Sequence, residues 1–146
     1  MSHKPLKPGE VLADAPPGAD ATLGFIGHVE TPWTTLADCP KSPDPDGPRC
    51  ALVLDPAWER ALTGIERFDW IDVILWFHHA RRDLLLIAPS HSDGLRGVFS
   101  LRSPVRPNPL AISRVRLEAR QGNRLTVRGL DALNGTPLID IKPARG

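Results

Sequence analysis

One segment of this chain alternates strictly between two kinds of side chain, and this pattern constrains the fold more than any other feature of the sequence. One face carries small and apolar residues: Ala111, Ser113, Val115, Leu117 and Ala119. The other face is mostly arginine: Arg114, Arg116, Glu118 and Arg120. Gln121-Gly122-Asn123 then turns the chain, and residues 124–128 alternate again on the way back. The pattern predicts a two-stranded β-ribbon with one apolar face and one arginine face.

Proline extends this constraint to the rest of the chain. Sixteen of the 146 residues are proline, about twice the usual ~5%, and proline breaks helix interiors. Besides the ribbon, strands are expected at residues 24–30, 49–54, 70–78, 84–88, 98–102 and 137–141, and one short helix at 56–63. We therefore predict a mainly β fold, a small closed or nearly closed β-barrel of about seven strands with one or two short helices and no Rossmann sheet.

The ends and the cysteines bound the domain organisation. Residues 1–23, rich in Pro, Ala, Gly and Asp, are expected to form a mobile N-terminal leader, and residues 24–146 the barrel domain. Cys39 and Cys50 have neither a zinc nor a disulfide-framework spacing. The first residues lack the apolar core of a signal peptide, and no apolar run is long enough for a membrane span. The expected location is the cytoplasm.

Charge is distributed unevenly along the chain. Residues 1–80 hold six Lys or Arg and twelve Asp or Glu, and residues 81–146 hold twelve and five. The net charge of +1 therefore hides values of −6 and +7. A basic half can mark a surface that binds phosphate or another anion. Alternatively, strands from the two halves interleave in the fold and the charges neutralise each other.

The segment "SLRSPVRPNPLAIS" (residues 100–113) combines two arginines with three prolines. We call residues 101–109 of it the Arg-Pro loop. Arg102 offers a planar fork of donors suited to carboxylate or phosphate, and the prolines restrict the backbone around Arg102 and Arg106. This favours a pre-organised anion site. In the alternative, the arginines pair with Asp or Glu elsewhere and the prolines only cap strands.

Three further features are candidates for a site. Asn134-Gly135 is a strong turn signal, by default the tip of a hairpin, and glycine permits close approach of a ligand. His78 and His79 end an apolar strand, one on each face, and no third ligand follows at a metal spacing, so no metal is predicted. Trp33 follows a strand exit, where its ring could stack on a base. No phosphate-binding glycine motif is present.

Four segments together resemble one family in order and spacing: "IGHVETPW", "LTGIERFDWIDVILWFHH", "GVFSLRSPVRPNPLAIS" and "LDALNGTPLIDIKP". They are similar to the TsaA-like (YaeB-type) proteins, which include tRNA N6-threonylcarbamoyladenosine N6-methyltransferases. The resemblance covers residues 24–143. It implies a β-barrel that binds S-adenosylmethionine and a homodimer with the cofactor near the subunit interface. It also implies N6-methylation of threonylcarbamoyladenosine at position 37 of tRNA.

The resemblance also implies which residues form the site. The cofactor-binding candidates are Lys41, Ser42, Pro43, His78, His79, Arg102, Ile112, Leu133, Asn134, Gly135 and Thr136. The candidates for substrate binding are Arg106, Asn108 and Trp33. In this assignment Arg102 binds the methionine carboxylate, and Ile112 covers the adenine ring. His78 or His79 is the candidate general base.

This sequence departs from the family pattern at several positions. Lys41-Ser42 replaces an Arg-Gln pair, Asn134 replaces a usual Asp, and the chain ends soon after "DIKP", whereas longer relatives carry a further C-terminal domain. Two alternatives therefore stay open. The chain could be a non-catalytic S-adenosylmethionine-binding module, or it could methylate another RNA or a small molecule.

Overall fold

The computed structural model describes residues 5–15, 18–89 and 94–145. Residues 1–4 and 16–17 of the predicted leader lie outside this range. The chain forms two compact units, which we call the loop unit (residues 1–22 and 77–111) and the barrel unit (residues 23–76 and 112–146). The mobility predicted for residues 1–23 stays a prediction. Within that segment, Val11–Leu12 forms a short strand.

Six strands form a closed antiparallel barrel. They are β2 (Gly27–Glu30), β3 (Arg49–Leu54), β4 (Trp70–Trp76), β7 (Leu110–Gln121), β8 (Arg124–Arg128) and β9 (Pro137–Pro143). Around the barrel their order is β2-β3-β8-β7-β4-β9, and pairing of β2 with β9 closes it. The first two residues of β7 belong to the loop unit. The mainly β fold and the closed barrel are confirmed, with six strands in the barrel itself.

The ribbon of β7 and β8 forms as the alternation predicts. Ser113, Val115 and Leu117 are buried, as are Leu125 and Val127 of β8, whereas Arg114 and Arg116 are exposed. Ala119 is the exception on the inward face, because the register shifts between Leu117 and Ala119. The buried set of the barrel also includes Val29, Leu52, Leu54, Ile71, Val73, Leu75, Leu130 and Leu138.

The loop unit contains a small three-stranded sheet of β1 (Val11–Leu12), β5 (Leu84–Ile87) and β6 (Arg96–Gly97). A 3₁₀-helix, Val98–Ser100, follows β6 directly. Leu84, Ile87 and Val98 form the buried cluster of this unit, and Leu101 and Val105 of the Arg-Pro loop pack against it. Apolar contacts therefore attach the loop at two points.

Three local predictions differ from the structure. The strand expected at residues 98–102 is wrong: Leu101 N–H bonds to Val98 O in a tight turn, because Val98 and Leu101 both pack inward. The expected helix is present as two 3₁₀-helices, Pro56–Leu62 and Ile65–Arg67. The strand expected at residues 70–78 ends at Trp76. No helix in the described part of the chain has the length and apolar character to cross a membrane.

Candidate functional site

The candidate residues fall on both units. The loop unit carries His78, His79, Arg102, Arg106 and Asn108. The barrel unit carries the others, which are Trp33, Lys41, Ser42, Pro43, Ile112, Leu133, Asn134, Gly135 and Thr136.

The Arg-Pro loop exposes Arg102 between two anchored positions. Leu101 and Val105 are half-buried against the apolar cluster, whereas Arg102 and Pro104 are exposed. Inside the loop, Val105 N–H donates to Ser103 Oγ at 3.2 Å. The loop is therefore fixed on both sides of the exposed guanidinium.

Arginine side chains provide much of the polar support of this loop. Arg106 Nη1 donates to Leu101 O at 2.9 Å and to Ser103 O at 3.0 Å. Arg82 Nε donates to Pro107 O, and its Nη2 donates to Asn108 Oδ1 at 3.3 Å. Sequence reasoning missed this role of Arg82. The signal that could have identified it is the scarcity of backbone donors among three prolines, which calls for donors from elsewhere.

His78 and His79 do not lie on opposite faces of a strand, which corrects the sequence prediction. Because β4 ends at Trp76, both histidines fall in a turn that Ala80 N–H closes by bonding to Phe77 O at 3.0 Å. Their rings pack together with centroids 3.7 Å apart and planes tilted by 44°. Both residues are exposed.

The Asn134-Gly135 turn is not the tip of a hairpin. Its backbone binds the exit of β2 instead: Gly135 N–H donates to Val29 O, and Asn134 N–H donates to Trp33 O, both at 2.8 Å. In return, Thr31 N–H donates to Asn134 Oδ1 at 3.1 Å. The turn amides of Asn134 and Gly135 are thus used within the barrel unit, so contacts with a ligand fall to carbonyl oxygens and to the asparagine amide.

The four turn residues differ in what they can offer. Asn134 and Gly135 are exposed, and a Cβ atom added at Gly135 would meet no other atom within 4 Å, although the φ of Gly135 is +86°. Thr136 is buried, and both its amide and its hydroxyl donate to Leu133 O. Thr136 therefore closes the turn, and Asn134 and Gly135 face open space.

Trp33 is attached to the same region through its ring. Its Nε1 donates to Leu130 O at 3.0 Å, so the half-buried indole is held beside the segment that leads to the turn. The neighbouring Asp131 accepts a 2.6 Å hydrogen bond from the buried Ser113 hydroxyl. Burial, and secondarily the negative charge of Asp131, raises the pKa of the Cys39 thiol. Sequence reasoning missed Thr31 and Ser113; the signal for Thr31 was the asparagine side chain of the turn, which needs a donor.

The loop with Lys41, Ser42 and Pro43 is fixed further along the chain. Asp44 N–H donates to Gly129 O at 3.0 Å, and Asp46 N–H donates to Asp44 Oδ1. Lys41 and Ser42 are exposed. Among the residues that the structure describes, no three His, Cys, Asp or Glu side chains group as metal ligands would.

The arginine face of the ribbon follows the neutralisation alternative. Arg114 pairs with Asp72, Arg120 with Glu66, and Arg124 with Glu30, so arginines of the second half meet acids of the first. Glu118 accepts bonds from both Arg49 and Arg128. The barrel unit contains eleven Lys or Arg and twelve Asp or Glu, a net charge of −1. In contrast, residues 77–111 contain five arginines and two aspartates.

Residues 28–145 match the family described as the tRNA-methyltransferase O N-terminal domain. The chain belongs to this family. The match confirms the predicted TsaA-like membership, and it covers the six barrel strands except for the first residue of β2.

Individual relatives agree with the family assignment. A probable S-adenosyl-L-methionine-binding protein, VirR, of Rhizobium radiobacter is 43% identical over 99% of this chain and 83% of its own length. A tRNA (adenine(37)-N6)-methyltransferase of Rattus norvegicus is 29% identical over 81% of this chain and 29% of its own. A solved structure of TrmO has a TM-score of 0.72 and 33% identity, covering 86% of this chain. The chain spans 57% of that solved protein.

Proposed function

We propose that this chain is an S-adenosylmethionine-dependent methyltransferase that modifies the N6 atom of threonylcarbamoyladenosine at position 37 of tRNA. Family membership supports the proposal, as do the names of the relatives, one for the cofactor and one for adenine 37 of tRNA. The finer identity of the acceptor follows from the motif resemblance. A homodimer and a cytoplasmic location remain predictions.

The observation that carries the proposal is the arrangement of Arg102. Its guanidinium belongs to an exposed residue in a loop that is anchored by Leu101 and Val105 and closed by Arg106. A planar cationic fork on a fixed backbone fits the carboxylate of the amino-acid end of S-adenosylmethionine. The donor chemistry of the chain thus matches the charged end of the cofactor.

Within the barrel unit, other candidate residues have the chemistry that an adenine ring needs. The exposed Asn134 and Gly135 present carbonyl oxygens, which can accept hydrogen bonds from the adenine amino group. Ile112 is 55% exposed and apolar, as a surface that covers an aromatic ring should be. Lys41, Ser42 and Pro43 are further candidates for cofactor contact, and Thr136 supports the turn from within.

S-adenosylmethionine, when bound, supplies a methyl group on a positively charged sulfur. The task of the protein is then to hold the acceptor nitrogen in line with that methyl group and to accept one proton. One of the two exposed residues His78 and His79 is the candidate acceptor of the proton. For the substrate, Trp33 and Asn108 are the candidate contacts. Trp33 would provide a ring already fixed by Leu130.

Transfer of a labelled methyl group tests the proposal. The protein is incubated with labelled S-adenosylmethionine and with tRNA from cells that can or cannot make the threonylcarbamoyl modification. Label is expected only in the modified tRNA. With Arg102→Ala, kcat/KM for the cofactor is expected to fall about 10- to 100-fold, the range for a lost charge-assisted hydrogen bond. Arg116→Ala removes the same charge from the exposed barrel face and is the matched control.

A second candidate is a non-catalytic S-adenosylmethionine-binding module. The name of the Rhizobium radiobacter relative, which states binding only, favours it. Cofactor binding without labelling of either tRNA would support this candidate and contradict methyl transfer to tRNA. Equal labelling of both tRNAs would contradict the threonylcarbamoyladenosine acceptor.

A further inference from the structure

The Arg-Pro loop has a shortage of backbone donors that its arginines make up. Three of its nine residues, Pro104, Pro107 and Pro109, have no N–H group. A segment of this kind cannot be held by a regular backbone ladder, because nearly every bond in such a ladder needs an amide donor. Its carbonyls at Leu101 and Ser103 instead receive bonds from Arg106, and the carbonyl at Pro107 receives one from Arg82.

The two bonds from Arg106 fall on either side of a two-residue segment. Leu101 O and Ser103 O belong to the peptide groups just before and just after the pair Arg102-Ser103. A single nitrogen, Nη1, joins both, so the guanidinium closes a ring over the segment that carries Arg102. Leu101 and Val105 anchor the same segment in the apolar cluster. Rotation of the backbone at Arg102 would break one of these bonds or withdraw an anchor.

We propose that Arg106 is a positioning residue that acts through Arg102, and that it does not contact the substrate. This inference rests on the proposed function, in which Arg102 binds the carboxylate of S-adenosylmethionine. Arg106 fixes the backbone of Arg102 before the cofactor arrives, so less conformational entropy is lost on binding. The role differs from the substrate contact expected for Arg106 from the family resemblance.

Calorimetric titration with two ligands tests the inference: S-adenosylmethionine and its decarboxylated analogue. Arg102→Ala is expected to weaken binding of S-adenosylmethionine about 10- to 100-fold. For Arg106→Ala the expected loss is about 2- to 10-fold, the cost of ordering a side chain that is no longer pre-organised. Neither variant should change the affinity for the analogue, because the analogue lacks the carboxylate. The double variant should bind no more weakly than Arg102→Ala alone.

Two control variants separate positioning from general effects. Arg96→Ala removes a guanidinium bond to Ser100 O in the same unit, 3.1 Å long, without touching the carbonyls beside Arg102. Its affinity should match the unaltered protein. Arg106→Lys keeps a donor near both carbonyls and should restore part of the lost affinity. It also replaces Arg106→Ala in these measurements if the alanine variant fails to fold.

Hydrogen exchange in the ligand-free protein tests separately whether Arg106 restrains the backbone around Arg102. Arg106→Ala should speed exchange at the Arg102 and Ser103 amides, and Arg96→Ala should not. If affinity and exchange are unchanged in Arg106→Ala while Arg102→Ala binds weakly, the inference is wrong and the proposed function stands. If Arg102→Ala binds normally, the carboxylate role fails. Additive losses in the double variant, or an equal loss for the analogue, would show that Arg106 contacts the ligand directly and would overturn positioning.

Discussion

The Asn134-Gly135 turn and the Arg-Pro loop both carry candidate cofactor contacts, but different kinds of donor hold them. Backbone amides attach the turn to the exit of β2, at Val29 O and Trp33 O. Guanidinium groups of Arg106 and Arg82 provide much of the support of the Arg-Pro loop, beside a backbone bond from Phe77 N–H to Pro109 O. The turn can use its own amides because glycine supplies the required positive φ without removing an N–H group. The loop contains three prolines and needs donors from side chains.

The partner of an arginine decides what happens to its charge. In the barrel, Arg114, Arg124 and Arg128 meet carboxylates, so their positive charge is neutralised. In the Arg-Pro loop, Arg106 bonds to the backbone oxygens of Leu101 and Ser103, which are neutral. Support of the second kind stiffens a segment while leaving its cationic charge in place. This is the combination that an anion-binding loop requires.

The largest effect should come from altering the backbone-held part of the barrel. Gly129 has φ +58°, and a Cβ atom there would lie 1.8 Å from Asp44 O. We expect Gly129→Ala to lower the free energy of unfolding by about 3 kcal/mol or more, from backbone strain and steric overlap together. Urea denaturation measures this loss.

Gly135→Ala is the matched control, because Gly135 also has a positive φ, +86°, but open space around its Cβ position. Its loss should be limited to the strain, about 1 kcal/mol. If both variants lost the same stability, steric overlap with Asp44 O would not be the cause of the loss in Gly129→Ala.

A smaller loss is expected when a side-chain donor of the loop is removed. Arg82→Met keeps the aliphatic stem but removes the donors to Pro107 O and Asn108 Oδ1. Because charge-assisted bonds of this kind are lost, we expect the free energy of unfolding to fall by about 2 kcal/mol. Urea denaturation of Thr31→Val, which removes the neutral donor to Ala132 O, gives the comparison, with an expected loss of about 1 kcal/mol. A larger loss in Thr31→Val would contradict the claim that side chains hold the loop and the backbone holds the turn.

The sequence predicted features that depend on local pattern. The alternation at residues 111–120 identified the ribbon, because burial of one sheet face fixes the two-residue period. Asp55-Pro56 identified the start of the short helix, which is a 3₁₀-helix in the structure. The family motifs identified the membership that the comparison confirms.

Features that depend on distant partners could not be predicted. The short apolar run at residues 98–102 fits a strand as well as a turn, and its packing on Leu84 and Ile87 decides the matter. Similarly, the composition cannot tell that Arg114 faces Asp72 across neighbouring strands whereas Arg106 faces carbonyls of its own loop. The net charge of each half could be counted from the sequence, but which arginine pairs with which carboxylate could not be predicted.

The smallest expected effect is a change in acid stability. Hydrogen bonding from Arg128, with a further bond from Arg49, lowers the pKa of Glu118 below its ordinary value of 4.5. A lowered folded-state pKa contributes stability above the unfolded value, and this contribution is lost as the pH falls through the folded value. Glu118→Gln should therefore lose less stability than the unaltered protein between pH 7 and about pH 3.5 in urea denaturation. The stability difference caused by Arg106→Met should stay constant over this range, since neither the guanidinium nor the carbonyls of Leu101 and Ser103 titrate there. A pH-dependent difference for Arg106→Met would mean that a carboxylate, and not these carbonyls, is the main partner of Arg106.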